Sequence, residues 1–243
     1  MDLIKLSATH STNTYLKELA KETQLIDETV VITENQLSGR GQMGSGWLSR
    51  EGQSLTFSLF KVFKELSAEQ QFSISMAVSM GIAEALKLLN VPNISIKWPN
   101  DILSAKKKIC GILIENVLEG NNVKYSIIGI GLNVNETEFH NLPQASSMKL
   151  ESGSNFELEE VLQKVVTRVF ENLKNLASIP FSEIREKYEG ELFQNGVVSV
   201  FKIPDGSRFN GIIRGVSEIG ELLVETEHAP LQKFQLKEIK MIY

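Results

Sequence analysis

Two stretches of the chain concentrate side chains able to handle anions. The first, Gly39-Arg40-Gly41-Gln42-Met43-Gly44-Ser45-Gly46-Trp47, sets one guanidinium and one indole among glycines. Glycine lets backbone N–H groups come close to an anion. Arg40 is able to fork onto a carboxylate or phosphate, and Trp47 to stack on or cover a ring. The other reading is a plain flexible turn. Gly39 to Gly44 also fits G-x-G-x-x-G, but a dinucleotide fingerprint needs a strand before it and a helix directly after. Here loop sequence continues through Arg50 into a strand, and the HRD and DFG signatures of a kinase are absent.

The second stretch is Lys97-Trp98-Pro99-Asn100-Asp101, a cation, an amide and a carboxylate at the end of a strand. Asn and Asp there are equally the residues of an ordinary turn. Lys106 and Lys107 read as a solvated hairpin tip. Lys108 opens the apolar run Ile109-Cys110-Gly111-Ile112-Leu113-Ile114, where strand alternation points it inward beside Gly111. Cys110 reads as a small core residue. Gly129-Ile130-Gly131-Leu132-Asn133 puts two glycines inside a strand, a mark of close approach by a ligand or by neighbouring backbone. His10, His140 and His228 are scattered, so no zinc site is read. Glu115 and Asn116 are left without a role.

The elements that must position these residues are mixed. Asn13 to Lys21 reads as a helix capped by Ser11 or Thr12. Val30 to Ile32 and Leu55 to Phe60 read as strands, and Phe72 to Leu89 as a helix. Ile94 and Ile96 lead into a strand that stops at Pro99. Lys108 to Val117 and Val123 to Ile130 form a hairpin across Glu119-Gly120-Asn121-Asn122. Leu158 to Leu173 is an amphipathic helix, and Ser182 to Phe193 a second one behind Pro180. Beyond Asn195-Gly196 short apolar runs alternate with turn pairs, the pattern of a small β-barrel. The boundary falls near residues 190–196, which gives two units, 1–192 and 193–243.

Composition narrows the classes. The chain has 243 residues, is 42% hydrophobic and 23% charged, and carries a formal net charge of −5. That balance is globular and argues against a nonspecific nucleic-acid clamp. A single cysteine makes no internal disulfide. The segment from Met1 to Leu16 lacks an uninterrupted apolar core, so no signal peptide is read, and no apolar run is long enough to span a bilayer. The expectation is a soluble cytoplasmic protein that binds no DNA and no membrane.

In this order, Ser11-Thr12-Asn13, Gln36, Gly39 to Trp47, Lys97 to Asp101, Lys108 with Gly111 to Glu115, and Gly129 to Asn133 resemble the biotin protein ligases. The resemblance runs from residue 1 to about 240. It implies an α+β fold: a mixed, largely antiparallel sheet with helices, of the class II synthetase-like, biotin/lipoate ligase type, plus a small C-terminal SH3-like β-barrel. The chain begins at the catalytic part, so it resembles the monofunctional kind that lacks a DNA-binding domain.

The resemblance also implies the chemistry. ATP with Mg2+ activates biotin as biotinyl-5′-AMP, and the biotinyl group passes to a lysine of a biotin carboxyl carrier protein. Arg40, Lys108 and Asp101 are the implied catalytic residues. Biotin contacts fall to Ser11, Thr12, Asn13, Gln36, Gly39, Arg40, Gly41, Gln42, Lys108, Gly111, Gly129 and Gly131. Trp47, Lys97, Asn100 and Asn133 fall to the nucleotide, and Asp101 also to Mg2+. Two anions repel where carboxylate meets α-phosphate, so Arg40 and Lys108 are expected to neutralise them. The glycine-rich loop is expected to be mobile and to shelter the labile adenylate. Many family members have arginine where this chain has Gln42, which leaves this loop one positive charge fewer. Oligomeric state stays open between monomer and homodimer. The alternatives are a lipoate–protein ligase and a non-catalytic biotin-binding regulator.

Overall fold

The computed structural model describes residues 2–140, 142–227 and 229–243; Met1 and His228, both used in the sequence reading, lie outside the described residues. In chain order the elements begin with β1 (Asp2–Thr9), α1 (Thr12–Glu22), β2 (Thr29–Gln36), β3 (Ser54–Val62) and α2 (Phe72–Leu88). Next come β4 (Ile94–Lys97), β5 (Asp101–Ser104), β6 (Lys107–Glu119), β7 (Asn122–Asn133), α3 (Met148–Ser152), α4 (Leu158–Leu173) and α5 (Phe181–Gly190). The C-terminal strands are β8 (Val198–Lys202), β9 (Arg208–Val216), β10 (Leu222–Thr226), β11 (Ala229–Phe234) and β12 (Lys240–Ile242).

The first seven strands make one sheet in the order β1-β2-β3-β7-β6-β5-β4. Only β1 and β2 run parallel; the other pairs are antiparallel. The long β6–β7 hairpin turns through Gly120, whose φ of 59° lies in the left-handed region that glycine enters without strain. β1 and β5 escape a reading of apolar runs. β1 is an edge strand that keeps only a partly buried alternation, and β5 follows Lys97 after a tight connection with a cis Trp98–Pro99 bond.

Helix α1 covers one face of β2, β3 and β7, and α4 packs on the other side of β3 alongside α2. This explains why β3 is buried along nearly its whole length, on both faces. α2 lies between the sheet, α4 and α5, and buries residues on every side, including Ile74, Met76, Val78 and Ile82. α4 instead buries one stripe, Val161, Leu162, Val165, Val166, Val169, Phe170 and Leu173, as its 3.6-residue periodicity dictates.

The second sheet is antiparallel, with five strands in the order β11-β10-β9-β8-β12. Its inner residues Phe201, Ile213, Val216, Leu222 and Val224 join the same apolar core as α2 and the large sheet. Backbone hydrogen bonds bind the two: Ile96 N–H donates to Glu191 O (2.8 Å), and Phe193 N–H to Ile96 O (2.7 Å). The Trp98 indole N–H donates to Gly220 O at 2.9 Å, and the Val216 N–H to Glu189 Oε1 at 2.9 Å. No helix among the described residues is long and apolar enough to cross a membrane.

Candidate active site

Register builds the site before any side chain is considered. Lys97 pairs with Asp101, Asp101 with Gly111, Gly111 with Gly131, and Gly131 with Thr56. Directly paired residues of neighbouring strands share a face, so these five stand in one row across β4, β5, β6, β7 and β3. One row along, Leu113 pairs with Gly129 and Gly129 with Ser58. The glycines leave a floor without side chains. Above it opens a cavity of about 290 Å³.

The polar end of that cavity hangs from the start of α1. Ser11 caps the helix, its Oγ accepting from the Thr14 N–H at 3.5 Å. Thr12 N–H donates to Gln36 Oε1 at 3.0 Å. Ser58, fully buried on β3, donates to Asn13 Oδ1 at 2.6 Å and lies 2.7 Å from Thr12 Oγ1. The Asn13 amide donates in turn to Leu113 O (3.3 Å) and Glu115 Oε2 (3.0 Å). A side chain with this many partners is held in one rotamer. Ser58 went unnoticed in the sequence, although two hydroxyls, Thr56 and Ser58, alternate with Leu55, Phe57 and Leu59 on that strand.

Glu115, left without a role by the sequence, anchors the outer part of this network. Its carboxylate meets the Lys17 ammonium at 3.2 Å and the Arg40 guanidinium at 3.6 Å. Partial burial pushes its pKa up, but the Asn13 and Lys17 hydrogen bonds and the charges of Lys17 and Arg40 outweigh this and leave it below the ordinary glutamate value. Arg40 also donates to Thr14 Oγ1 at 2.8 Å.

The loop from Gly39 to Trp47 closes on itself. Gly41 N–H donates to Ser45 O (2.7 Å), Trp47 N–H to Gly39 O (2.9 Å), and Gln42–Gly44 form a 3-10 turn. Trp47 then lies on the glycine floor: a Cβ added to Gly131 would stand 2.2 Å from its ring, and one added to Gly111 3.0 Å. Its buried Nε1 and the buried Gln42 Oε1 have no hydrogen-bond partner among the described residues. Both residues line the cavity, so a donor and an acceptor stand ready for a ligand.

At the opposite end Lys108 Nζ meets Asp101 Oδ1 at 2.6 Å, and Lys97 Nζ stands 3.9 Å from Asp101 Oδ2. Burial lowers the Lys97 pKa; Asp101 opposes this, and the nearby Lys108 and Lys240 add to it. Lys108 also lies 5.6 Å from the Trp47 ring centre. Asn100 is tied to β6, its amide donating to Ile112 O at 2.7 Å. Cys110 is fully buried, and burial raises its thiol pKa well above the ordinary value, as suits a packing residue.

The cavity thus collects Ser11, Thr12, Asn13, Gln36, Arg40, Gly41, Gln42, Trp47, Lys97, Asn100, Asp101, Lys108, Gly111, Gly129 and Gly131. Two expected residues stand apart. Gly39 lies behind the loop, against Trp47 O and the Gln36 side chain. Asn133 is buried, with its amide donating to Ser146 O at 2.9 Å, off the cavity wall. Among the described residues Asp101 is the one carboxylate on that wall, and two lysines stand beside it. No group of three or more His, Cys, Asp or Glu placed to hold a metal ion occurs among the described residues. Asp101 therefore offers a single carboxylate, paired with Lys108, where a dedicated all-protein cation cage would need several.

The family model for the biotin/lipoate A/B protein ligases matches residues 6–133, more than half of the chain. The chain belongs to the biotin/lipoate A/B protein ligase family. Among members of the family, a biotin protein ligase from Aquifex aeolicus, solved in complex with biotin and ATP, superposes with a TM-score of 0.81 at 30% identity; the match covers 99% of this chain and 98% of that one. A biotin–[acetyl-CoA-carboxylase] ligase from Paracoccus denitrificans is 26% identical over 225 residues, 90% of this chain and 92% of the relative. The bifunctional ligase/repressor BirA of Bacillus subtilis is 30% identical over 206 residues, 82% of this chain. The chain spans 62% of the length of that relative.

Proposed function

We propose that this chain is an ATP-dependent biotin protein ligase. The biotin carboxylate oxygen attacks the α-phosphorus of ATP, and the bond to the β-phosphate oxygen breaks. Its electron pair leaves with pyrophosphate, and biotinyl-5′-AMP remains. The amine of an acceptor lysine then attacks the acyl carbon, loses a proton and expels AMP. A biotin carboxyl carrier domain supplies that lysine, and the reading places the reaction in the cytoplasm. Residues 1–192 form the catalytic unit and residues 193–243 the C-terminal unit.

The observation that carries this reading is the row from Lys97 to Gly131, with a neutral polar cap at one end and paired lysines at the other. Ser11, Thr12, Asn13 and Gln36 offer the donors and acceptors that a ureido ring needs. Their hydrogen-bonding groups would be left unpaired against the apolar dithiolane of lipoate, which has neither donor nor carbonyl acceptor. The glycine floor admits a flat bicycle once Trp47 swings off it. Lys108 is then close to the carboxylate, and Arg40 approaches from the loop, so positive charge gathers where two anions must meet. Mg2+ enters as part of the Mg-ATP substrate and adds Lewis-acid charge on the phosphates. Asp101 holds Lys108 in place. As Lys108 turns to the carboxylate, Asp101 is released to accept the proton of the acceptor lysine.

The test is incubation with biotin, Mg-ATP and a carrier domain, followed by intact-mass measurement of the carrier. One added biotinyl group per carrier is expected, and none when lipoate replaces biotin. An unmodified carrier overturns the reading.

A further inference from the structure

A second cavity, of about 220 Å³, lies between α2 and the side of β6 turned away from Gly111. The two cavities share a wall: Gln42, Pro99, Asn100 and Ile112 line both. Asn100 and Ile112 brace it with two hydrogen bonds. The Asn100 amide donates to Ile112 O at 2.7 Å, and the Ile112 N–H donates to Asn100 O at 3.0 Å. Asp101 follows directly in the chain, on the main-cavity side. At its outer rim the second cavity reaches Gln71 and Ile219, both exposed, and at its inner end Ser79, which is 1% exposed.

Packing alone does not account for this cavity. Ser75 and Ser79 stand one turn apart on α2 and line it together. A serine inside a helix commonly returns its hydroxyl to the carbonyl one turn back. Ser79 does not: its buried Oγ has no hydrogen-bond partner among the described residues, and neither has the Gln42 Oε1 at the shared wall. Buried polar atoms left open in this way await a ligand. The rest of the lining says which kind. Phe72, Ile112, Ile114 and Ile219 give an apolar passage, and among the described residues no charged side chain lines it. A carboxylate or phosphate finds no counter-ion there. An alkyl chain ending in an amine fits, with its methylenes against the apolar walls and its N–H groups toward the open oxygens. Such surroundings, with Lys97 and Lys108 on the far side of the wall, favour the uncharged amine, the form that carries the lone pair.

We infer, resting on the ligase reading above, that this second cavity is the channel by which the acceptor lysine reaches the adenylate. The amine passes Ser79 and Gln42 to the shared wall. There its nitrogen bonds to the acyl carbon, the bond from that carbon to the phosphate oxygen breaks, and AMP leaves with the electron pair. The amine proton passes to Asp101. Biotin and nucleotide thus occupy the α1 face of the sheet while the acceptor enters from the α2 face, so the glycine-rich loop stays closed over the adenylate during transfer.

Filling the channel tests this. Ser79→Leu plugs its inner end. Ser75→Leu narrows it one turn nearer the rim, where a half-buried position takes the larger side chain without disturbing the packed side of α2. Two half-reactions are compared: biotin-dependent pyrophosphate exchange, and transfer from purified biotinyl-5′-AMP to Nα-acetyl-lysine amide, read by mass. Transfer should fall by about 10²-fold, the usual effect of misplacing a reacting group, and roughly tenfold or more beyond any fall in exchange. Retained exchange also shows that a variant is folded. Wild-type transfer in a Ser75→Leu protein that keeps its exchange overturns the channel, because the lysine must then enter past the glycine-rich loop. So does a fall in exchange as deep as the fall in transfer, which would make the cavity part of the adenylation site. A wild-type protein without biotin-dependent exchange overturns the ligase reading itself, and the channel with it.

Discussion

Gly129 and Asn13 meet so closely that a methyl group on the glycine would stand 2.4 Å from the Asn13 Oδ1. Asn13 cannot yield cheaply, because Ser58, Leu113 and Glu115 all hold its amide. The start of α1 is therefore seated on bare backbone, and the polar cap is set by a strand residue more than a hundred positions away.

Gly129→Ala should break this seat. Overpacking a well-filled site costs about 1–3 kcal/mol, so a lower melting temperature is expected. Biotin affinity should fall further than stability alone explains, because Thr12 and Gln36 share the displaced network. Isothermal titration with biotin checks this; wild-type affinity in a folded variant would refute the seat.

Lys108→Ala removes the ammonium that faces both Asp101 and the proposed carboxylate position. Adenylate formation, followed as pyrophosphate release, should drop by about 10²–10³-fold, the usual cost of one preorganised charge donor. Near-wild-type release would take Lys108 out of the mechanism.

Gln42→Arg restores the positive charge that the loop lacks. The Gln42 Oε1 is buried without a partner beside the cavity, so a guanidinium there would face the adenylate phosphate. The off-rate of biotinyl-5′-AMP should slow about tenfold, as one charge-assisted hydrogen bond provides. An unchanged off-rate would count against a holding role for this position.

Glu115 carries a pH signature. Its folded-state pKa lies below the ordinary value, so its contribution to stability is complete above the unfolded pKa of about 4.3 and is lost as pH falls through the folded one. Glu115→Gln should cost roughly 0.5–1 kcal/mol at pH 7, a figure held down by its partial exposure. The gap to wild type should close in acid. Urea midpoints at pH 7 and in strong acid measure it; a gap that persists unchanged would show that the Lys17 and Arg40 pairs contribute nothing.

Much of this was legible in the chain itself, for definite reasons. Strand-length apolar runs marked β3, β6 and β7, and the stripe from Leu158 to Leu173 marked α4, which buries one regular face. The glycines and lysines of the site were visible because they interrupt apolar strands, where nothing in packing requires them. Ser58 was hidden, since one hydroxyl in a buried strand looks like any other until its partners are known. Glu115 was hidden because its partners lie on α1 and the glycine-rich loop. Asn133 was expected at the nucleotide, and its amide is spent on Ser146 O. Lys240 and Met241 belong to the cavity only through tertiary packing, and no spacing rule links them to Lys97.

The cleft joins Ser11 near one end of the chain to Lys240 near the other. Contacts between segments so distant in sequence form late and slowly when a chain collapses. Helical dichroism, reporting α1, α2 and α4, should return early in renaturation. Turnover has to wait until β12 docks, which makes catalytic recovery the strictest gauge that the whole polypeptide has reached its native arrangement.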